Sequence, residues 1–498
     1  MQFIDYAVIG LFFAVVAWIG WTSARKIKGS SDYFVAGGNI PWWLGGISHH
    51  VSGHSGVVFV AYAAVAYQYG FTLYVWWAFS IAVSCIAGAW WFAPRWARLR
   101  IATGIESPTE YLAVRYNRPT QHLIAWSGAL LKVFDVGAKW ASIGVLMHGF
   151  TGLPVSAGIW IAGGVSLFYI TVGGLWADLQ TDLLQFAVQV VAGLVLFVAV
   201  LAPLGGWSGI WTLWDRLPAG HGELFNGPYS GVFFLGYFAA SMLSYNGGTW
   251  NLAVRYIGSP SAQSAQRSAW LSGGLYLIWP LFLFFPMWAA PVLLPELADP
   301  SQAYVLLTQK YLPAGLVGLV VASMFAATMA MTTSDTNTIS SVITRDILPT
   351  LSVRFRGLDQ RQTLRIARWT TLAFTLLTLV IGLEAERFGG VLGLILTWFA
   401  ALIGPVSVPM LLGLVPLFRH ADSRAAISSI VAGFVTFVVV AQILTTSAAV
   451  RMAAPIAASF AVFVGLAWLN RTRPVAPAVD RMIDALRSDA AAEARSRS

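Results

Sequence analysis

The sequence predicts an all-α polytopic membrane protein with about 13 transmembrane helices. Hydrophobic residues make up 57% of the 498 residues, and the mean hydropathy is +0.70. Charged residues make up 10%, whereas soluble proteins carry roughly 25%. A soluble fold could not bury this much apolar surface, but a lipid bilayer solvates it directly. The composition therefore argues against a soluble enzyme, a disordered chain and a nucleic-acid-binding protein.

Thirteen stretches of the chain have the roughly 20 apolar residues that a membrane crossing requires. We number them span one to span thirteen, and they cover residues 3–23, 42–66, 71–93, 121–149, 154–172, 176–202, 231–253, 268–293, 313–335, 367–385, 389–418, 425–444 and 449–469. Span one lacks a basic n-region and a cleavage site, which indicates a retained helix rather than a signal peptide. We therefore expect a transmembrane domain over residues 1–470. Residues 471–498 are expected to form a polar cytoplasmic tail, partly disordered or a surface helix.

The basic residues are distributed unevenly between the two sides of these spans. Twenty-four of the 30 Lys and Arg residues lie on one side, including Arg255 after span seven, and four lie on the other. Because basic loops stay in the cytoplasm, this predicts an outer N-terminus and a cytoplasmic C-terminus in the cell inner membrane. The net charge of +9 then reflects topology rather than a nucleic-acid partner. The single cysteine, Cys85, argues against a disulfide framework or a cysteine-ligated metal.

Spans two and seven each contain a run of small and polar residues at mid-membrane. The runs are GGISHHVSGHSG at 45–56 and SYNGGTWN at 244–251. Many transporters bind their ligands where two related helices unwind in the membrane. The two runs are five crossings apart and opposite in direction, which predicts inverted five-helix repeats over about 42–202 and 231–418. The alternative is that these Gly and Ser residues permit close helix packing.

Acidic residues inside the spans are candidates for an ion site. Asp182 lies in span six, and Asp335 ends span nine among Thr and Ser residues. Buried membrane charges usually mark an ion route or a paired structural site, and oxygen ligands suit a hard cation such as sodium. Asp135 has Lys132 and Lys139 at i−3 and i+4, which favours an intrahelical ion pair.

The histidines in the run of span two leave three interpretations open. His50 and His54 share one helix face if the local backbone is helical. They could bind a solute or carry a proton, or they could be buried with neighbouring carbonyls as partners. A zinc site is the third interpretation, although no suitably spaced carboxylate or cysteine completes it.

The solute is expected to bind between spans two, three, seven and eleven. The candidate solute-binding residues are polar or aromatic members of these spans: Ser52, Ser55, Trp77, Tyr245, Asn246, Trp250, Asn251 and Trp398. Aromatic rings could stack on a sugar or gate the site, although most of the 23 Trp residues must face lipid or anchor at the interface. These side chains are compatible with a sugar, a carboxylate or an amino acid.

Four segments resemble the sodium:solute symporter family. They are GGLWADLQTDLLQ at 173–185, ESPTEYLAVRY at 106–116, residues 322–346, and PVSVPMLLG at 405–413. They occur in family-like order and spacing within residues 1–470. The resemblance implies a leucine-transporter-like fold with inverted repeats and secondary active transport. It implies neither enzymatic activity nor a cofactor, apart from sodium as the coupling ion.

The resemblance also implies two sodium positions. The principal position would use the backbone carbonyls of Val51, His54 and Ala327, with a hydroxyl pair where this chain has Ala330 and Met331. This chain therefore departs from the family pattern there. The second position corresponds to Asp182, Thr333 and Ser334, which are retained.

These features together predict cation-coupled symport of a small polar organic solute, with sodium as the expected ion. One alternative is a proton-coupled or uncoupled transporter that uses His54. Another is a transporter-like solute sensor that signals to a partner through its tail, although no appended signalling domain is evident.

Overall fold

A computed structural model describes residues 1–388, 403–444 and 446–496, and these residues form helices with no β-strand. Eight of the described helices are long and apolar enough to cross a membrane. Seven of the predicted spans each correspond to one α-helix, and span four is among them although it is not one of the eight. These helices are Phe3–Ser23, Arg118–Thr151, Ala262–Leu293, Leu316–Val342, Gln360–Leu383, Ser423–Val438 and Ala448–Leu469. Span three comprises Tyr74–Phe79 and Ser80–Trp91. The prediction of an all-α membrane protein is confirmed.

Local features explain why eight long apolar helices correspond to thirteen predicted spans. Spans five and six form one element, Val155–Leu201, which is interrupted where Gly174 adopts φ 50° and ψ −147°. Span four carries three buried charges, which lower its hydropathy. Spans two and seven are divided into short helices. Most of span eleven before Ile403 lies outside the described residues.

Spans two and seven are both broken, as their runs of small and polar residues predict. In span two, the helix Trp42–Val51 ends at mid-span, and helical structure resumes with Val58–Tyr62 and Ala63–Tyr69. In span seven, Gly231–Leu243 continues as Ser244–Gly248, and Asn251–Ile257 follows the break.

The break in span seven depends on an unusual backbone conformation. Gly247 has φ 113°, and Trp250 has φ 76°, a left-handed value that is rarely tolerated by a bulky residue. The Trp250 indole is buried against Gly128 of span four, where a Cβ atom would overlap it. Packing across the bundle therefore holds this strained residue in place.

The short segment before span four connects several helices at one end of the bundle. Arg115 is buried, and its guanidinium donates to the carbonyls of Gly413, Phe418 and Ala421 at 2.8, 2.6 and 2.8 Å. These carbonyls lie at the end of span eleven and in the segment after it. Arg115 therefore has a structural role in addition to its contribution to the loop charge.

The C-terminal tail forms two surface helices, Pro477–Ala485 and Asp489–Ser496. Met482 and Ile483 are buried, and Asp489 pairs with Arg98 of the helix Ala93–Thr103 at 2.8 Å. Of the two expected forms of the tail, the surface helix is the one observed for residues up to 496.

Candidate solute and ion site

A cavity of about 80 Å³ lies where the broken segments of spans two and seven meet. This volume can hold several water-sized groups. Its lining residues come from spans two, three, four, seven and nine: Gly53, His54, Ser55, Val57, Val58, Tyr62, Trp77, Asp135, Lys139, Tyr237, Ser244, Tyr245, Thr249, Asn251, Leu252 and Met331. The cavity is thus bordered by both breaks, although spans four and nine were not expected in its wall.

Side chains of span seven bind the exposed backbone of span two directly. The Tyr245 hydroxyl donates to the Gly53 carbonyl at 2.6 Å, and the Asn251 amide donates to the Ser52 carbonyl at 3.3 Å. These bonds satisfy carbonyls that lost their helical partners at the break. The break in span seven therefore supplies hydrogen-bond donors for the carbonyls that the break in span two exposes.

The predicted solute-binding residues divide into three groups. Ser55, Trp77, Tyr245 and Asn251 line the cavity. Ser52, Asn246 and Trp250 are buried outside its lining and contact protein groups instead. Trp398 lies outside the described residues. Sequence reasoning missed Asp135, Lys139, Tyr237 and Met331 as cavity residues, because the helix rotation that exposes them is not encoded by local hydropathy.

The end of the first half of span two leaves two backbone carbonyls available. The Tyr276 hydroxyl donates to the His50 carbonyl at 2.8 Å, while Ser52 and Gly53 accept from span seven. In the described part of the chain, the carbonyls of Val51 and His54 accept no hydrogen bond. These are the two carbonyls of span two that the family resemblance assigns to a sodium ion.

The three span-nine residues that the family resemblance assigns to this position lack hydroxyl groups. Ala327 and Ala330 are fully buried, and Met331 borders the cavity. A methyl group and a thioether are poor sodium ligands, since sodium prefers hard oxygen donors. Any ligands from these three residues would therefore be backbone carbonyls such as that of Ala327.

Asp182 lies in a polar cluster rather than alone. One of its carboxylate oxygens, Oδ2, accepts from the Ser48 hydroxyl at 2.5 Å and the Ser52 hydroxyl at 3.2 Å. The other oxygen, Oδ1, is buried and has no hydrogen-bond partner within the described residues. Asp182 therefore retains one carboxylate oxygen that could bind a cation.

The other two residues of the predicted second sodium position bind different partners. The Thr333 hydroxyl donates to Asp178 Oδ1 at 2.6 Å, and Ser334 accepts a hydrogen bond from Arg255. Asp178 was not identified from the sequence, although it lies one turn before Asp182 in the 173–185 motif. The assignment of Asp182, Thr333 and Ser334 to one ion stays a prediction.

Arg255 forms the centre of this polar cluster. The prediction that Arg255 lies in a loop after span seven is wrong, because the helix extends to Ile257 and the arginine side chain is fully buried. Its guanidinium pairs with Asp178 Oδ2 at 2.6 Å and lies 3.4 Å from Asp182 Oδ2. It also donates to the Ser52 hydroxyl at 2.9 Å. A protein cation therefore already neutralises part of the acidic charge here.

Span four and span nine share a second buried charge cluster, which we call the charge quartet: Lys132, Asp135, Lys139 and Asp335. The intrahelical contacts of Asp135 with Lys132 at 3.1 Å and Lys139 at 2.7 Å were expected. The contacts of Asp335 with the same lysines, at 2.6 and 2.5 Å, join residues about 200 positions apart. Asp335 is thus part of a paired site, one of the two possibilities for a membrane aspartate.

The three histidines of span two have different environments. His49 is fully buried, and its ring contacts the Ser272 hydroxyl at 2.8 Å and the Tyr245 carbonyl at 3.0 Å. His54 borders the cavity, and its Nε2 lies 3.0 Å from Gln189 Oε1. The His50 ring packs on Tyr276 with a centroid separation of 4.4 Å. Within the described residues, no group of three or more His, Cys, Asp or Glu side chains is placed to hold a metal ion.

A helical membrane bundle with two interrupted helices that meet at a cavity is typical of secondary transporters. The chain matches the model of the sodium:solute symporter family over residues 33–433. This match covers most of the chain, and the protein belongs to that family. The membership predicted from the four motifs is confirmed.

Individual relatives support the same class. The chain is 24% identical to the sodium/sialic acid symporter NanT of Aliivibrio fischeri, with 87% of this chain and 86% of the relative covered. It is 27% identical to a sodium/glucose cotransporter of Vibrio parahaemolyticus, with 70% and 69% covered. Both relatives are transporters and not enzymes.

Solved structures show the shared fold. A Na+-coupled sialic acid symporter in a substrate-bound, outward-open state aligns with a TM-score of 0.83 at 20% identity, over 95% of this chain and 99% of that one. Mhp1, a nucleobase-cation-symport-1 family transporter, aligns in its closed conformation with a TM-score of 0.57 at 15% identity, over 92% and 99%. The leucine-transporter-like architecture is thereby confirmed.

Proposed function

We propose that the protein is a sodium-coupled symporter that carries a small polar organic solute across the cytoplasmic membrane. The observation that carries this proposal is the cavity between the two broken spans, whose walls combine hydrogen-bonding groups with aromatic faces. Asn251, Ser55 and Thr249 offer polar groups, while Trp77 and Tyr245 offer aromatic faces. Such a lining suits a solute that has both hydroxyl or charged groups and an apolar face.

The proposed sodium ion binds beside the solute at the end of the first half of span two. The available carbonyls of Val51 and His54 would supply two ligands, and the Ala327 carbonyl would supply a third. Asp182 would provide the carboxylate of a second position through its unpartnered Oδ1. Family membership supports sodium as the ion, because named relatives are sodium symporters.

Ion binding would convert the membrane potential into solute accumulation. Moving one charge inward through 100 mV releases about 2.3 kcal/mol. Since about 1.4 kcal/mol corresponds to a factor of ten in concentration, one ion per solute supports accumulation of a few tens-fold. In this mechanism the ion joins span nine to span two or six, and movement of the two repeats then opens the inner side. The N-terminus would lie outside and the tail in the cytoplasm.

Proton coupling is the second candidate, and one observation favours it. His54 combines a position on the cavity wall with a contact to Gln189, while Ala330 and Met331 replace hydroxyl ligands of sodium. Imidazole exchanges protons near neutral pH more readily than other side chains. A proton on His54 could therefore accompany the solute in place of sodium.

Reconstituted protein can separate the two candidates. Proteoliposomes would be given an inward sodium gradient, an inward proton gradient or neither, at a fixed membrane potential, and tested with radiolabelled sialic acid, glucose, a monocarboxylate and proline. Concentrative uptake under the sodium gradient alone is the expected result. Uptake driven by the proton gradient and lost in His54→Gln would establish the second candidate instead. Absence of accumulation of every solute under both gradients would contradict both proposals.

A further inference from the structure

The charge quartet holds four ionised side chains in the interior of the bundle. Each lysine ammonium contacts both carboxylates at 2.5–3.1 Å, and the four side chains are 0–3% exposed. The two positive and two negative charges cancel. This balance permits burial, because an isolated charge in the membrane interior is costly.

The two carboxylates have the arrangement of a cation site. Asp135 comes from span four and Asp335 from span nine, and each ammonium bridges them. A small monovalent cation would join the same oxygens of the same two helices. The chain therefore supplies from its own side chains the positive charge that such a site requires.

The two lysines differ in their access to the cavity. Lys139 and Asp135 form part of the cavity wall, together with Met331 on the facing helix. Lys132 and Asp335 are not among the lining residues. Of the two lysines in the quartet, Lys139 is thus the one at a position that an ion in the cavity could reach.

We propose that the Lys139 ammonium is a built-in cation that fills a monovalent-cation site formed by Asp135, on the wall of the solute cavity, and Asp335 behind it. Because this cation is covalently tethered, it links span four to span nine throughout the cycle and is never transported. The quartet then adds no ion to the coupling stoichiometry. The assignment relies on the proposed function for the role of the cavity, but it is independent of whether sodium or a proton drives uptake.

Removing the Lys139 ammonium should open this site to ions. Lys139→Met leaves a net charge of −1 beside the cavity, which sodium or potassium can neutralise. The Tm of the purified variant should be low in choline chloride and should rise by about 1–2 °C for each tenfold increase in sodium or potassium at constant ionic strength. The wild-type Tm should show a smaller dependence on the same exchange.

Two variants provide matched controls. Lys132→Met removes the same charge from the same quartet, away from the cavity, and its Tm should not recover with sodium or potassium. Lys139→Met/Asp335→Asn restores charge balance, and its Tm should be raised relative to Lys139→Met in choline and insensitive to the cation. Lys139→Gln has the same charge deficit as Lys139→Met and should show the same cation dependence.

Several results would overturn the proposal. They are a Lys139→Met Tm with the wild-type cation dependence, an equal response of Lys132→Met, or failure of both Lys139→Met and Lys139→Gln to fold in sodium and in potassium. In the last case, added sodium or potassium would have failed to replace the missing Lys139 ammonium. These measurements use neither a gradient nor a solute, so their failure is distinguishable from failure of the transport proposal.

Discussion

Asp178 and Asp182 should contribute differently to the stability of the folded protein, although they lie one turn apart on span six. Asp178 accepts hydrogen bonds from Arg255 and Thr333, both at 2.6 Å. Asp182 binds Ser48 and Ser52 through one oxygen and lies farther from Arg255, at 3.4 Å. We therefore expect Asp178→Asn to impair folding more than Asp182→Asn.

The structure sets the size of this difference. Hydrogen bonds to a charged group contribute about 1.5–3 kcal/mol each, and breaking a buried ion pair costs about 3–5 kcal/mol. Asp178→Asn breaks the ion pair with Arg255 and weakens the bond with Thr333, so we expect a loss of about 4 kcal/mol, or roughly a thousandfold in the folded-to-unfolded ratio. Asp182→Asn can keep both serine bonds through its amide oxygen. Its expected cost is about 1–2 kcal/mol.

Thermal unfolding of detergent-purified protein, followed by tryptophan fluorescence, measures this order. The Tm should fall in the order wild type, Asp182→Asn, Asp178→Asn, and the exposed Asp215→Asn serves as the control. Uptake by Asp182→Asn should lose its dependence on the coupling ion if that carboxylate binds the ion. A lower Tm for Asp182→Asn than for Asp178→Asn, or both within about 1 °C of wild type, would refute the reasoning.

Three further perturbations test other parts of the structure. Gly128→Ala should lower the free energy of unfolding by about 1–3 kcal/mol and reduce uptake, because the new methyl group overlaps the Trp250 indole. The control is Gly10→Ala, where no heavy atom lies within 4 Å of the new methyl group. Equal Tm values for the two variants would contradict the packing argument. Tyr245→Phe should reduce uptake several-fold while the protein remains folded, because it removes the shorter of the two hydrogen bonds between the breaks, and unchanged initial rates would count against that role. A chain truncated after Thr472 should retain uptake but show a lower Tm, since the tail helices cover apolar side chains. Loss of uptake by this truncated chain, if it is still folded and inserted, would support a signalling or gating role of the tail.

Much of the fold could be predicted from local sequence. The runs at 45–56 and 244–251 predicted the two breaks because glycine and polar residues are poorly suited to a lipid-facing helix. The two runs lie five crossings apart in spans of opposite direction, and this separation predicted the inverted five-helix repeats. The intrahelical contacts of Asp135 were also predictable, because residues at i−3 and i+4 are neighbours on any helix.

Which side chains line the cavity was less predictable from the sequence. Lys139 and Met331 border the cavity, while Trp250 is not among its lining residues and packs on Gly128. A helix in the core of a membrane bundle is apolar on most faces, so hydropathy does not reveal which face lines a cavity. A polar residue near the break can also bind neighbouring backbone instead of a ligand, as Asn246 does with the carbonyls of Ser84 and Met242.

The sequence by itself determined that the chain crosses a membrane many times, where its helices are interrupted, and to which family it belongs. Only the tertiary structure decided that Arg255 joins Asp178 and that Asp335 joins both lysines of span four. Apolar length and helix breaking are properties of a few neighbouring residues, and they can be evaluated along the chain. The pairing of buried charges depends on the rotation and depth of helices that are distant in sequence, and these are set by packing of the whole bundle.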